Sequence, residues 1–170
     1  EDAIFDYNRA LAIDPHYVNA RYNRATLYLR LERLALAIAD FDLVLQLEPK
    51  RADAANNRSL AYLKIGNLDK AIAGFSAAIQ LDPSNAYAYN NRGVAWRRKN
   101  ERDNAIADFS IAIDLLPNYA AALNSRGELQ KDIGRLELAT ADFCKAVAIA
   151  PRHAKASTNL NAVIDILRLH

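Results

Sequence analysis

The chain has 170 residues, and 22 Lys and Arg against 20 Asp and Glu leave a net charge of +2. That balance excludes a dedicated nucleic-acid binder and an electrostatic membrane binder, and no apolar run reaches the roughly 18 residues of a membrane span. A lone cysteine rules out an internal disulfide framework, while 33 alanines beside five glycines and five prolines point to much helix and few loops.

The prolines stand at Pro15, Pro49, Pro83, Pro117 and Pro151, each 34 residues after the last. A fixed period of that size marks a solenoid. Residues 1–17 predict one helix, the second half of a preceding unit, with Ala3 and Tyr7 on its apolar stripe. Residues 18–51 predict two helices, the second striped by Ala37, Ile38, Phe41, Val44 and Leu45. In 52–85 the stripe is Leu68, Ala71, Ile72, Phe75, Ala78 and Ile79; in 86–119 it is Ala105, Ile106, Phe109, Ala112 and Ile113. This i, i+3, i+4, i+7 spacing is one face of an α-helix. Residues 120–153 repeat the pattern with Ala139 and Phe143. Residues 154–170 supply one last helix bearing Leu160, Val163, Ile164 and Leu167. Each second helix runs into a proline, which cannot continue it. Between the paired helices stand Gly66, Asn100 and Gly134, residues that tolerate a left-handed helix end; Glu32 is the weak match. The expectation is an all-α fold of about ten helices, with residues 1–170 forming one solenoid domain.

The unit has a recognisable signature. Tyr89, Gly93 and Trp96 occupy aromatic, small and aromatic positions of a first helix, and Ala105, Phe109 and Pro117 follow in the second. The small position reads Ala25, Ser59, Gly93 and Gly127 across the four complete units. These residues resemble the tetratricopeptide repeat, a 34-residue helix-turn-helix. The resemblance implies antiparallel pairs wound into a right-handed superhelix, with first helices lining a concave groove for an extended peptide or partner helix.

Catalytic chemistry is not visible. The glycines are isolated and make no phosphate-cradling loop. The three histidines do not gather with Cys144 or a carboxylate pair at metal-ligand spacing, and nothing resembles a nucleophile–base arrangement. No enzyme activity, metal or cofactor is expected of this segment.

The groove is the candidate site. The resemblance places Asn23, Asn57, Asn91, Ser125 and Asn159 at the sixth position of successive first helices, and Tyr22, Asn56, Asn90, Asn124 and Thr158 at the fifth. Asparagine is a poor helix former, so adjacent pairs inside helices need a reason. An amide presents two donors and an acceptor, enough to bond both N–H and C=O of an extended chain. The pattern resembles the asparagine ladder in the repeats of O-linked N-acetylglucosamine transferase. Equally, these amides could bond one another and tie the repeats together. Tyr22 and Tyr87 offer amphipathic contact area, and Leu60 and Val94 an apolar floor. Arg30, Lys64, Arg97 and Arg98 add positive charge along the first three units, opposed by Asp53, Glu128 and Asp132, mostly toward the fourth. A protein or peptide ligand with an acidic stretch fits that layout. The clamp by which chaperone-binding members hold a terminal carboxylate is absent: Asn57 and Asn91 match only its amide position.

A second periodic pair accompanies the amides. The seventh position reads Arg24, Arg58, Arg92 and Arg126, and the twenty-third Asp40, Asp108 and Asp142, with Gly74 the exception. Departures from apolar residues at both positions point to Arg–Asp pairing within or between units. Tyr28, Tyr62 and Trp96 read as core aromatics, and Cys144 as a small packing residue.

The leading reading is a protein-interaction module. The alternatives are the substrate-recruiting arm of a larger enzyme, or a scaffold that self-associates through its terminal helices. The opening lacks an initiator methionine and a signal-like stretch, which suggests an excerpt of a longer chain. No nucleic-acid or membrane partner is expected, and the compartment cannot be read, a cytoplasmic one being slightly favoured.

Overall fold

The structure, a computed structural model, describes residues 2–151 and 154–168. These form ten helices: α1 Asp2–Ile13, α2 Val18–Arg30, α3 Leu34–Leu47, α4 Ala52–Lys64, α5 Leu68–Leu81, α6 Ala86–Arg98, α7 Arg102–Leu115, α8 Ala120–Asp132, α9 Leu136–Ile149 and α10 Ala154–Arg168. The last two positions expected for the terminal helix lie outside the described residues. First helices start at 18, 52, 86 and 120, each 34 apart. The architecture is all-α, with no strand among the described residues.

Each helix ends for a local reason. The residue before each proline is pushed to extended angles by the ring that follows it. Glu48, Asp82, Leu116 and Ala150 accordingly have φ between −126° and −139° and cap α3, α5, α7 and α9. First helices end differently. Glu32, Gly66, Asn100 and Gly134 all take positive φ, at 58°, 82°, 64° and 77°. The next N–H then reaches back five residues: Arg33 to Tyr28, Asn67 to Tyr62, Glu101 to Trp96 and Arg135 to Gln130, at 2.8–2.9 Å. This is the Schellman closure, which satisfies carbonyls a helix end would leave bare. Glu32 therefore adopts the conformation that the register demands and its side chain disfavours, at about 1–2 kcal/mol.

The helices form two compact units, Glu1–Pro83 with α1 to α5 and Ser84–His170 with α6 to α10. In the first, α2 packs on α3 and α4 on α5, while α3 also meets α4. Its core gathers Ala25, Tyr28, Leu29, Ala37, Phe41, Val44, Ala54 and Ala61. In the second, α6 pairs with α7, α8 with α9, and α10 closes on α9. Its cores are Ala105, Phe109 and Leu129, then Leu123, Ala146 and Ala156, then Ala139, Phe143 and Val163.

The small first-helix position is small because an aromatic ring fills its place. Phe41, Phe75, Phe109 and Phe143 are fully buried. A Cβ on Gly93 would stand 2.9 Å from Phe109 Cε1, and one on Gly127 2.7 Å from Phe143 Cε1. Truncating such a phenylalanine to alanine costs about 3–5 kcal/mol.

Candidate interaction surface

In the first unit the proposed groove residues fall into two groups. Tyr22, on α2, and Asn57, on α4, meet across adjacent first helices: Asn57 Nδ2 donates to the Tyr22 hydroxyl at 3.1 Å. Asn56 Nδ2 donates to Asn57 Oδ1 at 3.3 Å. The Tyr22 ring also takes the Arg51 guanidinium 4.1 Å above its centroid and the edge of Phe41 at 5.9 Å. Burial, and then the carboxylate of Asp53, pushes the Tyr22 phenol up from its ordinary value. The second group is Asn23 and Arg30, both exposed, which share a cavity of about 290 Å³ with Tyr7, Thr26 and Leu27. Leu60 is half-buried and packs against the core. Lys64 pairs with Glu32 at 2.6 Å on the rim.

The second unit is more tightly networked. Glu128 is its centre: it accepts from Asn124 and Asn159 at 3.0 Å each and from Lys155 at 2.9 Å, and it pairs with Arg97 at 2.5 Å. Burial alone would raise its pKa, but the hydrogen bonds from Lys155, Asn124 and Asn159 hold it below the ordinary carboxylate value. Asn159 Nδ2 also donates to Asn124 Oδ1 at 3.0 Å. Asn90 is buried and donates to Asn91 Oδ1 at 3.4 Å. Val94 rests on the Ala105–Phe109–Leu129 core. Tyr87 is 57% exposed, edge-on to Tyr119 at 5.2 Å, and Arg98 lies in the last turn of α6.

One geometric rule runs through these bonds. Tyr22 to Asn57 and Asn124 to Asn159 both join the fifth position of one unit to the sixth of the next, 35 residues on. Sequence reasoning named the residues and left their partners open, because a rotatable amide bonds whatever neighbour presents itself. It missed Arg51 and Tyr119, in the turns beside the groove; their only signal was a cationic or aromatic residue two places after a proline. Cys144, expected as packing, is exposed. It lies between the inward-facing Phe143 and Ala146 on α9, and the 100° step per residue turns it outward.

Three of the four seventh-position arginines pair within their own unit. Arg24 Nε and Nη2 meet the two oxygens of Asp40 at 2.7 Å, Arg92 meets Asp108 at 2.8 and 2.7 Å, and Arg126 meets Asp142 at 2.8 and 2.7 Å. The aspartates are 3–5% exposed. Hydrogen bonding to them pushes all three guanidinium groups up against the opposing effect of burial. The remaining nitrogen, Nη1, reaches the preceding unit: Arg24 to Asn8, Arg58 to Asp42 and Arg126 to Ser110.

Family patterns match three stretches of the chain. The description "TPR repeat" matches residues 60–100, and "Tetratricopeptide repeat" matches residues 6–39 and again 120–153. The chain belongs to the tetratricopeptide-repeat family. No curated protein matches it. Among solved structures, this tetratricopeptide-repeat chain is similar to MamA, with TM-score 0.80 and 26% identity over 89% of each chain. It is similar to the first TPR of Spaghetti (RPAP3) bound to the HSP90 peptide SRMEEVD: TM-score 0.67, 25% identity, 69% of this chain and 94% of that one. TTC0263, a thermophilic TPR protein of Thermus thermophilus, shares the fold at TM-score 0.77 and 23% identity, over 95% of this chain and 88% of that one. The repeats make the chain a protein-interaction module for a protein or peptide partner. Among the described residues no helix is long and apolar enough to cross a membrane, and no group of three or more His, Cys, Asp or Glu is placed to hold a metal ion.

Proposed function

We propose that the module is non-catalytic and binds an extended peptide along its first helices, with asparagine amides gripping the peptide backbone. The observation that carries this reading is the state of the two adjacent amide pairs. Asn56–Asn57 and Asn90–Asn91 bond sideways to one another, at 3.3 and 3.4 Å, and leave Asn56 Oδ1 and Asn90 Oδ1 buried without a partner. An unmet buried acceptor costs about 1–3 kcal/mol, so rotation of these amides onto a peptide N–H is favoured. The Asn124–Asn159–Glu128 network is already satisfied and ties α8 to α10 instead. Peptide gripping therefore rests on Asn56 and Asn57 in the first unit and on Asn90 and Asn91 in the second.

Charge adds less than the count of cations suggests. Lys64 and Arg97 are each neutralised by a carboxylate of the chain itself, Glu32 and Glu128. Arg30, in the cavity beside Asn23, is the cation best placed in the first unit to meet an acidic residue of the peptide.

Selection from a displayed library of random twelve-residue peptides, followed by calorimetry on the enriched sequences, tests the reading. Asn57→Ala and Asn91→Ala together should weaken binding by about tenfold or more, a loss of roughly 1.4 kcal/mol or above. Circular dichroism must be unchanged. Equal affinity in the folded double variant sinks the amide mechanism.

A further inference from the structure

Three of the four seventh-position arginines spend Nε and Nη2 on an aspartate of their own unit. Arg58 does not. Its Nη1 keeps the backward bond to Asp42, at 2.7 Å, but Gly74 stands where its sister units carry Asp40, Asp108 and Asp142. Its Nε is buried and has no partner. In place of the missing carboxylate is a cavity of about 300 Å³, lined by Arg58, Tyr62, Lys70, Ala73, Gly74 and Ala77. Lys70 brings a second cation, its Nζ 5.2 Å from the Tyr62 ring centroid.

The neighbour at position 59 explains why the chain cannot fill this gap itself. Ser59 Oγ donates to the Ala55 carbonyl at 2.6 Å, which pins the hydroxyl. A Cβ built on residue 74 would collide with that oxygen. The units that carry aspartate have Ala25, Gly93 or Gly127 at the corresponding place. With the Ser59 hydroxyl held on the Ala55 carbonyl, a side chain at 74 has no room, and the result is an arginine fork without its acceptor.

We propose that this cavity binds a carboxylate supplied from outside the chain. The group lies against Arg58 as Asp108 lies against Arg92, with Lys70 as the second cation. A flat, two-oxygen acceptor is what a guanidinium edge recognises, and the sister units display that geometry within this same protein. A free small carboxylic acid and the side chain of a partner's Asp or Glu share this chemistry. The reading is independent of the peptide groove, whose amides do not line the cavity.

The test follows the Arg58 Nε–H cross-peak of the ¹⁵N-labelled chain, assigned by its loss in Arg58→Lys. The probes are sodium acetate and N-acetyl-aspartate N-methylamide, at constant ionic strength set with sodium chloride. A saturable shift at Arg58, with the Nε–H peaks of Arg24, Arg92 and Arg126 unmoved, is the expected result. A response to acetate alone assigns the cavity to free acids; a response to the aspartyl compound assigns it to acidic side chains. Ser59→Ala with Gly74→Asp supplies an internal carboxylate and should abolish the response. Should that variant not fold, Lys70→Gln should weaken acetate binding several-fold in its stead. No shift with either probe, the same shift from sodium chloride, or a full response in the folded Ser59→Ala, Gly74→Asp double variant overturns the proposal.

Discussion

Breaking one rung of the arginine–aspartate ladder should cost far more than replacing it. Asp142 is 3% exposed and accepts two bonds from Arg126, at 2.8 and 2.7 Å. Asp142→Leu leaves that guanidinium, whose side chain is only 20% exposed, with Ser110 at 3.0 Å as its remaining bond. A half-buried charge stripped of its partner loses about 3 kcal/mol. For a chain of this length each kcal/mol moves the melting point by about 2–4 °C, so the expected fall is about 6–12 °C. Arg126→Leu with Asp142→Leu removes both charges and returns apolar volume to the interface, and should lie within about 1 kcal/mol of the wild type. Urea and thermal melts of the two single variants and the double variant close a double-mutant cycle, in which the single losses should sum to far more than the loss in the double variant. Little change with salt is also expected, since buried pairs are poorly screened. Single losses that simply add in the double variant would refute the pairing as a source of stability.

Three further outcomes follow from the packing. Gly127→Val forces a branched side chain into the Phe143 ring and should cost about 3 kcal/mol, whereas Gly127→Ala should cost about 1, since Ala25 shows that one methyl can be accommodated; equal stability of the valine variant in urea melts would contradict the close approach. Glu32→Gly should gain about 1 kcal/mol by relieving the left-handed strain at φ 58°, and a loss in the same melts would show that the residue is not strained. Glu128 is held below the ordinary carboxylate value in the folded state, so its contribution is full above about pH 4.5 and is lost as pH falls through the lower folded value. Melting Glu128→Gln beside the wild type should therefore show a gap at pH 7 that narrows below about pH 4; a gap independent of pH would count against the network.

The sequence revealed most where spacing alone decides. Prolines 34 apart, a small residue facing an aromatic and a left-handed turn position dictate helix ends and pairing whatever the surface carries. Glu32 illustrates the strength of that register, since by propensity it does not belong in a left-handed turn and yet takes one. The arginine–aspartate pairs were legible too, because two unusual residues recurred together. What could not be read was the consequence of one exception. That Gly74 means a cavity depends on where Ser59 Oγ points, and a hydroxyl rotor leaves no trace in a sequence pattern. The amides were opaque for the same reason, as with Asn159, whose donor is divided between Asn124 and Glu128.

The backward bonds of the arginines bear on how such a chain can change its length. The acceptor 16 residues upstream is an amide at Asn8, a carboxylate at Asp42 and a hydroxyl at Ser110, so the bond asks for an oxygen at the right place and not for a particular residue. Copying or excising a whole unit restores an oxygen at that distance. A single-residue insertion within α4, ahead of Arg58, would instead rotate that guanidinium about 100° around its helix and take it away from Asp42. The lattice of bonds is thus indifferent to the number of units and intolerant of any fraction of one, which favours growth and loss in steps of 34.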